Sequence, residues 1–168
     1  MRGFTLLELM VTLAVAGVLV TIGVPSFFDI VRNNRAATNA NEMVTAFTLA
    51  RSEAIRRGAR IGVCSSADQA NCGGTWSDGW IVFVDAAATD TAAVSLDEVL
   101  RVWPGPSGEA TVDAGAAWVR FLPRGNMYSP GGSTVTYTIE FDDCNGLQGR
   151  SIEINAVGRT TVERVNCT

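Results

Sequence analysis

The sequence predicts an α+β protein in which a long N-terminal helix is followed by an antiparallel β head. Three observations support this prediction. Residues 4–28 form a near-continuous apolar run, residues 29–58 continue with apolar positions at helical spacing, and residues 59–168 contain short stretches of β-type alternation. The roughly 110 residues beyond the helix are enough for one small domain with its own hydrophobic core.

The apolar run at residues 4–28 is long enough for a transmembrane and assembly helix. Its 25 residues carry a single charge, Glu8, and would form a helix of about 37 Å, compared with about 30 Å for the hydrocarbon core of a bilayer. A carboxylate within such a span costs about 2.5 to 3.5 kcal/mol on insertion scales. Glu8 therefore needs a compensating partner, which makes it a candidate functional residue.

Gly23 and Pro25 interrupt this apolar helix. Proline has no backbone N–H, and its ring clashes with the carbonyl four residues earlier in a regular helix. We therefore expect a kink or local unwinding at Pro25.

The second half of the predicted helix, residues 29–58, is amphipathic and continues into the head. Its apolar positions recur three or four residues apart, which predicts a face that packs on a sheet. These positions are Ala36, Ala40, Met43, Val44, Phe47, Ala50 and Ala54. Gly58 is the expected end of the helix, and Glu53 and Arg57 have the spacing of a surface ion pair.

A basic cluster of Arg56, Arg57 and Arg60 lies at this end of the helix. Cations are favourable next to the negative end of a helix. We prefer that explanation, together with solvation, to a ligand site.

Residues 59–168 are predicted to form a β-rich head. Its candidate strands are Arg60–Cys64, Trp80–Val84, Leu100–Trp103, Trp118–Leu122, Thr134–Phe141, Ser151–Asn155 and Thr160–Val165. Trp80–Val84 is continuously apolar, as expected of a strand buried on both faces, whereas Thr134–Phe141 alternates strictly, as expected of a sheet with one face in water. Ala86–Ser95 and Pro104–Gly115 are predicted loops, because they are small, polar or contain glycine and proline.

The composition excludes several classes of active site. The chain has 168 residues and a net charge of −4, with 17 acidic residues, 13 basic residues that are all arginine, and no histidine. Without histidine there is no Ser-His-Asp or Cys-His nucleophilic site and no zinc site with histidine ligands. We therefore predict neither an enzyme nor a bound cofactor.

Acidic side chains gather in two predicted loop regions. They are Asp85, Asp90, Asp97 and Glu98 in the first, and Asp142 and Asp143, beside Cys144, in the second. Such oxygen ligands can hold Ca²⁺, but the spacing lacks the regular frame of a calcium loop. We interpret both groups as solvated loops and predict no metal site.

Four cysteines, Cys64, Cys72, Cys144 and Cys167, are an even number and favour disulfides if the head lies in an oxidising compartment. Three pairings are possible. We favour Cys64–Cys72 and Cys144–Cys167, which join neighbours along the chain and would contribute about 2.5 and 3.5 kcal/mol on the loop-entropy model. A metal site built from the four thiolates is disfavoured, because no C-x2-C spacing occurs.

The positive charges on the two sides of the apolar run favour opposite orientations of the helix in a membrane. Arg2 and the initiator amine favour a cytoplasmic N-terminus, whereas Arg32 and Arg35 lie just beyond the span on the opposite side. We expect a single-pass membrane protein with a cytoplasmic N-terminus and its head on the other side, an orientation that does not explain Arg32 and Arg35.

The segment Gly3-Phe4-Thr5-Leu6-Leu7-Glu8 resembles the processing site of type IV pilins and pseudopilins. The resemblance implies a leader of residues 1–3, cleavage after Gly3 by a prepilin peptidase, and N-methylation of Phe4. Glu8 would then pair with the terminal amine of a neighbouring subunit, so that two charges that are costly in lipid compensate each other. The competing interpretation, a secretory signal peptide, fits poorly, because only three residues precede the run and no Ala-x-Ala-like site follows it closely.

The head resembles the GspH/FimT family of minor pilins and minor pseudopilins. The matching segments are Arg51–Arg57, Gly74–Asp85 with its Trp-x-x-Gly-Trp block, Leu100-Arg101, and Gly158-Arg159 ahead of Cys167. The resemblance implies a type IV pilin-like fold and a structural protein that joins other pilins or pseudopilins in a helical fibre, which it primes or caps. It also implies a single pass through the bacterial inner membrane, with the head in the periplasm. We interpret Trp76 and Trp80 as residues of the core and a turn rather than of a binding site.

In some FimT proteins a Gly-Arg-x-Arg segment binds DNA during natural transformation. Gly158 and Arg159 match this segment, but Thr161 replaces its second arginine, for which Arg164 and Arg150 are possible substitutes. Arginine suits phosphate because its planar fork donates two parallel hydrogen bonds. A DNA-binding minor pilin at the fibre tip is therefore the alternative function, although we prefer to interpret Gly158-Arg159 as a hairpin turn with a solvated arginine.

Overall fold

The structure is a computed structural model that describes residues 5–142, 144 and 146–167, apart from the side chains of residues 22, 23, 25 and 26. Within these residues, one long helix, α1 (Leu6–Arg57), precedes nine strands. The strands are β1 (Ile61–Ser65), β2 (Gly79–Asp85), β3 (Leu96–Pro104), β4 (Ala110–Ala114), β5 (Trp118–Phe121), β6 (Met127–Tyr128), β7 (Thr134–Phe141), β8 (Gly149–Asn155) and β9 (Thr160–Val165). The predicted α+β architecture is confirmed.

The strands form two antiparallel sheets that share the C-terminal half of α1. The first has the order β3-β2-β1-β5-β6 and the second the order β4-β7-β8-β9. The helix lies against β1, β2 and β5 of one sheet and β7, β8 and β9 of the other. A single helix face therefore closes the core of the whole head.

Both ends of α1 carry recognisable caps. The Thr5 hydroxyl accepts a hydrogen bond from the Glu8 backbone N–H at 3.3 Å, which satisfies one of the free donors of the first turn. Gly58 ends the helix with φ +62°, a left-handed conformation that glycine adopts without steric cost, as predicted. The backbone stays helical through Pro25, so the chain does not unwind there, and the kink stays a prediction.

The predicted apolar stripe of α1 is confirmed as the centre of the core. Its members Ala36, Ala40, Met43, Phe47, Ala50 and Ala54 are buried, and Val44 is half-buried. Phe47 packs against a cluster of aromatic side chains. Its ring centroid lies 5.2 Å from that of Tyr137, and the Tyr137 and Trp76 centroids are 4.7 Å apart. Burial of the phenol raises the pKa of Tyr137. Trp76 and Trp80 are buried here, as expected for core residues.

One of the two predicted loops is wrong. Ala86–Ser95 is a loop, but Pro104–Gly115 contains β4, which pairs with β7 from Ala110↔Phe141 to Ala114↔Tyr137. The strand is hard to recognise locally, because its buried residues, Ala110 and Val112, are small and alternate with polar ones. Its stability comes from pairing with a distant strand. The two-residue β6 was not predicted either.

The interpretation of the first acidic group as a solvated loop is wrong for three of its four members. Asp97 and Glu98 are exposed but lie on β3, and Asp85 is the last residue of β2. Its carboxylate is buried and forms an ion pair with the buried Arg120, with 2.6 Å between Oδ2 and Nε. The other oxygen, Oδ1, accepts hydrogen bonds from the backbone N–H groups of Ala87 and Ser95. Arg120 also donates to the carbonyls of Thr89 and Asp90. Asp85 and Arg120 thus hold both ends and the middle of the β2–β3 loop.

Both favoured disulfides are present. Cys64 is bonded to Cys72 and Cys144 to Cys167. The first closes the loop after β1, and the second ties the C-terminal segment beyond β9 to the end of β7. Among the described residues, no three aspartate, glutamate or cysteine side chains are grouped as a metal site.

We predict that Arg120→Met lowers the free energy of unfolding by about 3 to 5 kcal/mol, because the buried Asp85 carboxylate loses its charge partner. The double variant with Asp85→Asn should recover part of this loss, since asparagine keeps a hydrogen-bonding oxygen without the charge. Urea unfolding of the full chain in mild detergent, followed by tryptophan fluorescence, measures the effect. Arg124→Met, which changes an exposed arginine, is the matched control, and an equal loss in both single variants would contradict the prediction.

Candidate assembly site on the N-terminal helix

The N-terminal half of α1 exposes nearly all of its large apolar side chains. Fourteen of them between residues 6 and 30 have exposed fractions from 46% to 76%. They are Leu6, Leu7, Leu9, Met10, Val11, Leu13, Val15, Val18, Leu19, Val20, Val24, Phe27, Phe28 and Ile30. Contiguous apolar surface of this extent marks an interaction site rather than an ordinary protein surface.

In the part of the chain that the structure describes, no helix has the length and hydropathy of a membrane span.

Glu8 lies in the first turn of α1 and is exposed. Thr5-Leu-Leu-Glu8 has the spacing of a capping box, in which a Thr side chain caps the helix three residues before a Glu. The structure shows the Thr5 half of that arrangement. This role was not predicted, although the spacing alone indicates it. Gly3 and Phe4, the predicted cleavage and methylation sites, lie outside the described residues.

The exposed half of α1 meets the head at Asp29 and Asn33. Asp29 accepts a hydrogen bond from the Gln148 amide at 3.3 Å, and Asn33 accepts one from the Arg150 guanidinium. These contacts attach the helix to the loop between β7 and β8 and to the start of β8. They place the boundary between free and docked helix immediately after the apolar run.

The basic cluster at the opposite end of α1 is paired with carboxylates. Glu53 accepts hydrogen bonds from Arg56 and Arg57, which lower the pKa of Glu53. Arg57 also reaches Glu98 at 3.1 Å. In the same region Arg60 reaches Asp90 at 2.6 Å. The cluster therefore links the helix end to β3 and the β2–β3 loop, in addition to the favourable position at the helix end that the sequence predicts.

The structure does not bring the three candidate DNA-binding arginines together. Arg159 is exposed in the turn between β8 and β9, whereas Arg164 is exposed five residues further along, about 16 Å away for an extended chain. Arg150 lies directly opposite Arg164 in the β8–β9 register. It is 5% exposed and donates to the carbonyls of Gln148 and Gly149 as well as to Asn33. Burial, and then the charge of Arg164, lower the pKa of Arg150.

Gly158 has a structural explanation of its own. Its φ is +75°, and a side chain there would collide with the Gly125 carbonyl oxygen. Arg51 on α1 binds this region, donating to the carbonyls of Gly125 at 2.9 Å and Val157 at 3.0 Å. The turn is further closed by the Arg159 N–H, which donates to the Asn155 side chain. Arg51 is an anchoring residue that the sequence analysis missed.

Two family models match the chain. The model of the prokaryotic N-terminal methylation motif matches residues 1–24, and that of the type II transport protein GspH matches residues 39–158. The motif defines the class: a pilin-like protein, for which it implies prepilin peptidase processing and other pilins or pseudopilins in a fibre. The chain belongs to the GspH family, since that model covers well over half of it.

Individual relatives agree with this assignment. The pilin-like protein PilA1 of Thermus thermophilus is 29% identical over 180 residues, covering 96% of this chain and 98% of that one. The type IV minor pilin FimU of Pseudomonas aeruginosa PAO1 superposes with a TM-score of 0.60 at 22% identity, covering 77% of this chain and 89% of that one. A second crystal form of FimU gives 0.57 at 22% identity, covering 76% and 91%. The similarity to FimU establishes a type IV pilin-like fold, as expected from the sequence.

We predict that Arg150→Met destabilises the head, whereas Arg159→Met leaves its stability unchanged. Removing Arg150 leaves the acceptors Asn33, Gln148 and Gly149 without their donor, at a cost of about 1 to 3 kcal/mol, but the Arg159 side chain is exposed. Thermal unfolding of both variants, followed by tryptophan fluorescence, makes the comparison. Equal stability of the two variants would show that Arg150 does not hold the helix to the head.

Proposed function

We propose that this chain is a structural minor pilin or pseudopilin, which joins a helical fibre through the exposed half of α1 and primes or caps that fibre. The observation that carries the proposal is the division of one continuous helix. The apolar face of residues 36–54 is buried in the core of the head, while the large apolar side chains between residues 6 and 30 remain exposed. Neighbouring stems of the same kind would cover them.

The free energy available from covering this surface is large. Burying one Val, Leu, Ile or Phe side chain fully contributes about 1.5 to 3 kcal/mol, and fourteen large apolar side chains are exposed here. Such a helix requires either lipid or other helices around it. The need for a second environment supports a subunit that is stored in a membrane and then transferred into a fibre.

For the stage before assembly, we propose a single pass through the bacterial inner membrane by residues 4–28, with the head in the periplasm. The apolar run supports the anchor. The disulfides Cys64–Cys72 and Cys144–Cys167 support an oxidising compartment for the head. The protein would act as a structural subunit and not as an enzyme, in line with its pilin relatives.

Glu8 is the proposed assembly residue. After cleavage between Gly3 and Phe4 and N-methylation of Phe4, the new terminal amine would carry a positive charge four residues before Glu8. Within a fibre, the Glu8 carboxylate of one subunit would pair with this amine of its neighbour, since each charge is costly in an apolar surrounding on its own. The exposure of Glu8 leaves its carboxylate available for such a partner.

We predict that Glu8→Gln reduces incorporation into sheared fibres by about tenfold or more, because the partner amine loses its counter-charge. Thr5→Val is the matched control. It removes the helix cap, worth about 1 kcal/mol, without changing any charge. Quantitative immunoblotting of the fibre fraction measures incorporation, and mass spectrometry checks that both variants begin at methylated Phe4. Normal incorporation of Glu8→Gln, or an equal defect in Thr5→Val, would refute the pairing.

The alternative function is DNA binding by the head at the fibre tip. The exposed position of Arg159 on the β8–β9 turn supports DNA binding. Against it, Arg164 is distant from Arg159 and Arg150 is buried, so the three arginines do not form one positively charged patch. The prediction of this alternative is that the full chain in detergent shifts duplex DNA at low salt and that Arg159→Ala weakens the shift, with Arg101→Ala as the control. An absent shift at low salt would eliminate the alternative.

A further inference from the structure

Two cavities meet at the junction between the exposed stem and the head. The first, a wide and shallow depression of about 520 Å³ on the surface of α1, is lined by the exposed apolar side chains of Leu19, Val20, Val24, Phe27 and Phe28. The second, of about 430 Å³, shares Phe27 and Phe28 and extends over Val31 to charged side chains of the helix and the head. Because both are lined by Phe27 and Phe28, the two lie side by side; we call the combined surface the junction groove, with an apolar end and a charged end.

Among the described residues that line it, the charged end has two cationic and two anionic side chains. Arg32 and Arg35 come from α1, Glu109 from the turn between β3 and β4, and Asp142 from the end of β7. Mixed charges of this kind do not select a simple anion. They match a headgroup that itself carries one negative and one positive group.

The turn that supplies Glu109 has an unusual backbone. Gly108 and Glu109 have φ values of +81° and +59°, and a left-handed conformation is uncommon for a residue with a long side chain. Gly108 also lies against Arg35, since a Cβ placed on it would be 3.0 Å from the Arg35 guanidinium nitrogen Nη1. The turn therefore brings Glu109 and Arg35 to the same cavity in a close arrangement that depends on glycine.

The spacing along the helix matches one leaflet of a bilayer. Val20, Val24, Val31 and Arg35 recur on one face of α1, and Phe27 and Phe28 lie between them. From Leu19 to Phe28 the helix rises about 13.5 Å, close to the roughly 15 Å of hydrocarbon in one leaflet. Arg32 and Arg35 follow about 6 and 10 Å beyond Phe28, at the depth of the headgroups.

We propose that the junction groove binds one phospholipid whose headgroup carries both a phosphate and a primary ammonium group. The phosphate accepts hydrogen bonds from Arg32 and Arg35, the ammonium group donates to Glu109 and Asp142, and an acyl chain lies along the apolar end from Phe28 to Leu19. This inference rests on the proposed function in one respect, because it places the apolar half of α1 in a bilayer. It also explains why two arginines follow the apolar run on the side where the usual charge bias does not expect them.

The test measures lipid binding directly, with the full chain in mild detergent. Native mass spectrometry follows the retention of added phosphatidylethanolamine, phosphatidylglycerol or phosphatidylcholine, and of glycerophosphoethanolamine, which has the headgroup but no acyl chains. We expect retention of phosphatidylethanolamine above the other three. The double variant Arg32→Gln/Arg35→Gln should bind it about tenfold more weakly, since it loses the charge-assisted hydrogen bonds to phosphate.

Two further variants separate the two halves of the headgroup site. Glu109→Gln/Asp142→Asn keeps both arginines and should shift the preference from phosphatidylethanolamine toward phosphatidylglycerol. Arg124→Gln, an exposed arginine outside the groove, should change nothing. Tryptophan fluorescence establishes that each variant is folded, and the single variant Arg35→Gln replaces the double variant if the latter is not.

The inference would be overturned if the folded wild type retained no lipid, or if it retained the three phospholipids equally. Unchanged retention in the arginine variants would also overturn it. So would a dimer without bound lipid, since a second copy of the chain would then occupy the groove. Membrane fractionation and fibre incorporation of the wild type are measured separately. Wild type that enters membranes and fibres but retains no lipid refutes this inference alone. Wild type that retains phosphatidylethanolamine in detergent but enters neither refutes the proposed function alone.

Discussion

The close approach of α1 to both sheets is the interaction on which the rest of the structure depends. A column of alanines at positions 36, 40, 46, 50 and 54 lets the helix backbone lie near the strands, and larger side chains such as Met43 and Phe47 fill the space between the sheets. Neither sheet has another helix to cover its apolar face within the described residues. The orientation of the head relative to the stem is therefore set by the same contacts that create the core.

Fixing the helix in this way determines where function can reside. The apolar face of the docked half is already buried against the sheets, and the arginines at its end are paired with Glu53, Glu98 and Asp90. The free half carries the large exposed apolar surface and, in its first turn, the exposed Glu8. The junction between them, at Asp29 and Asn33, is where the chain passes from one environment to the other, and it adjoins the groove with mixed charges.

Local patterns predicted much of this architecture. The strict alternation of Thr134–Phe141 fixes both the bounds and the buried face of β7, and the stripe on α1 was identified almost residue by residue, because these signals depend on periodicity alone. β4 was missed because its small residues become a strand only when β7 lies beside them. Asp85 was misplaced for a similar reason: its partner Arg120 is 35 positions away in the chain, and nothing near Asp85 indicates burial.

The candidate site was predictable to different degrees at its two ends. Glu8 stands out in the sequence because it is the single charge in the apolar run, which is a local feature. The cross-strand pairing of Arg150 with Arg164 follows from a hairpin, yet the burial of Arg150 against Asn33 depends on how the helix meets β8, which no local pattern reveals. Asn39, which is buried and bonded to the backbone of Ser107, was hidden in the same way.

The uninterrupted course of α1 has a mechanical consequence. In a fibre, a force that pulls on the head would be carried directly into the stem through one helix, because no loop residues separate the two halves of α1. To detach the head, the force would have to separate the buried stripe from both sheets and also break the hydrogen bonds that join Arg51 to Gly125 and Val157 and Arg150 to Asn33. Contacts that bear a force together resist it better than contacts that break one after another. This geometry therefore suits a subunit whose head is pulled against its stem.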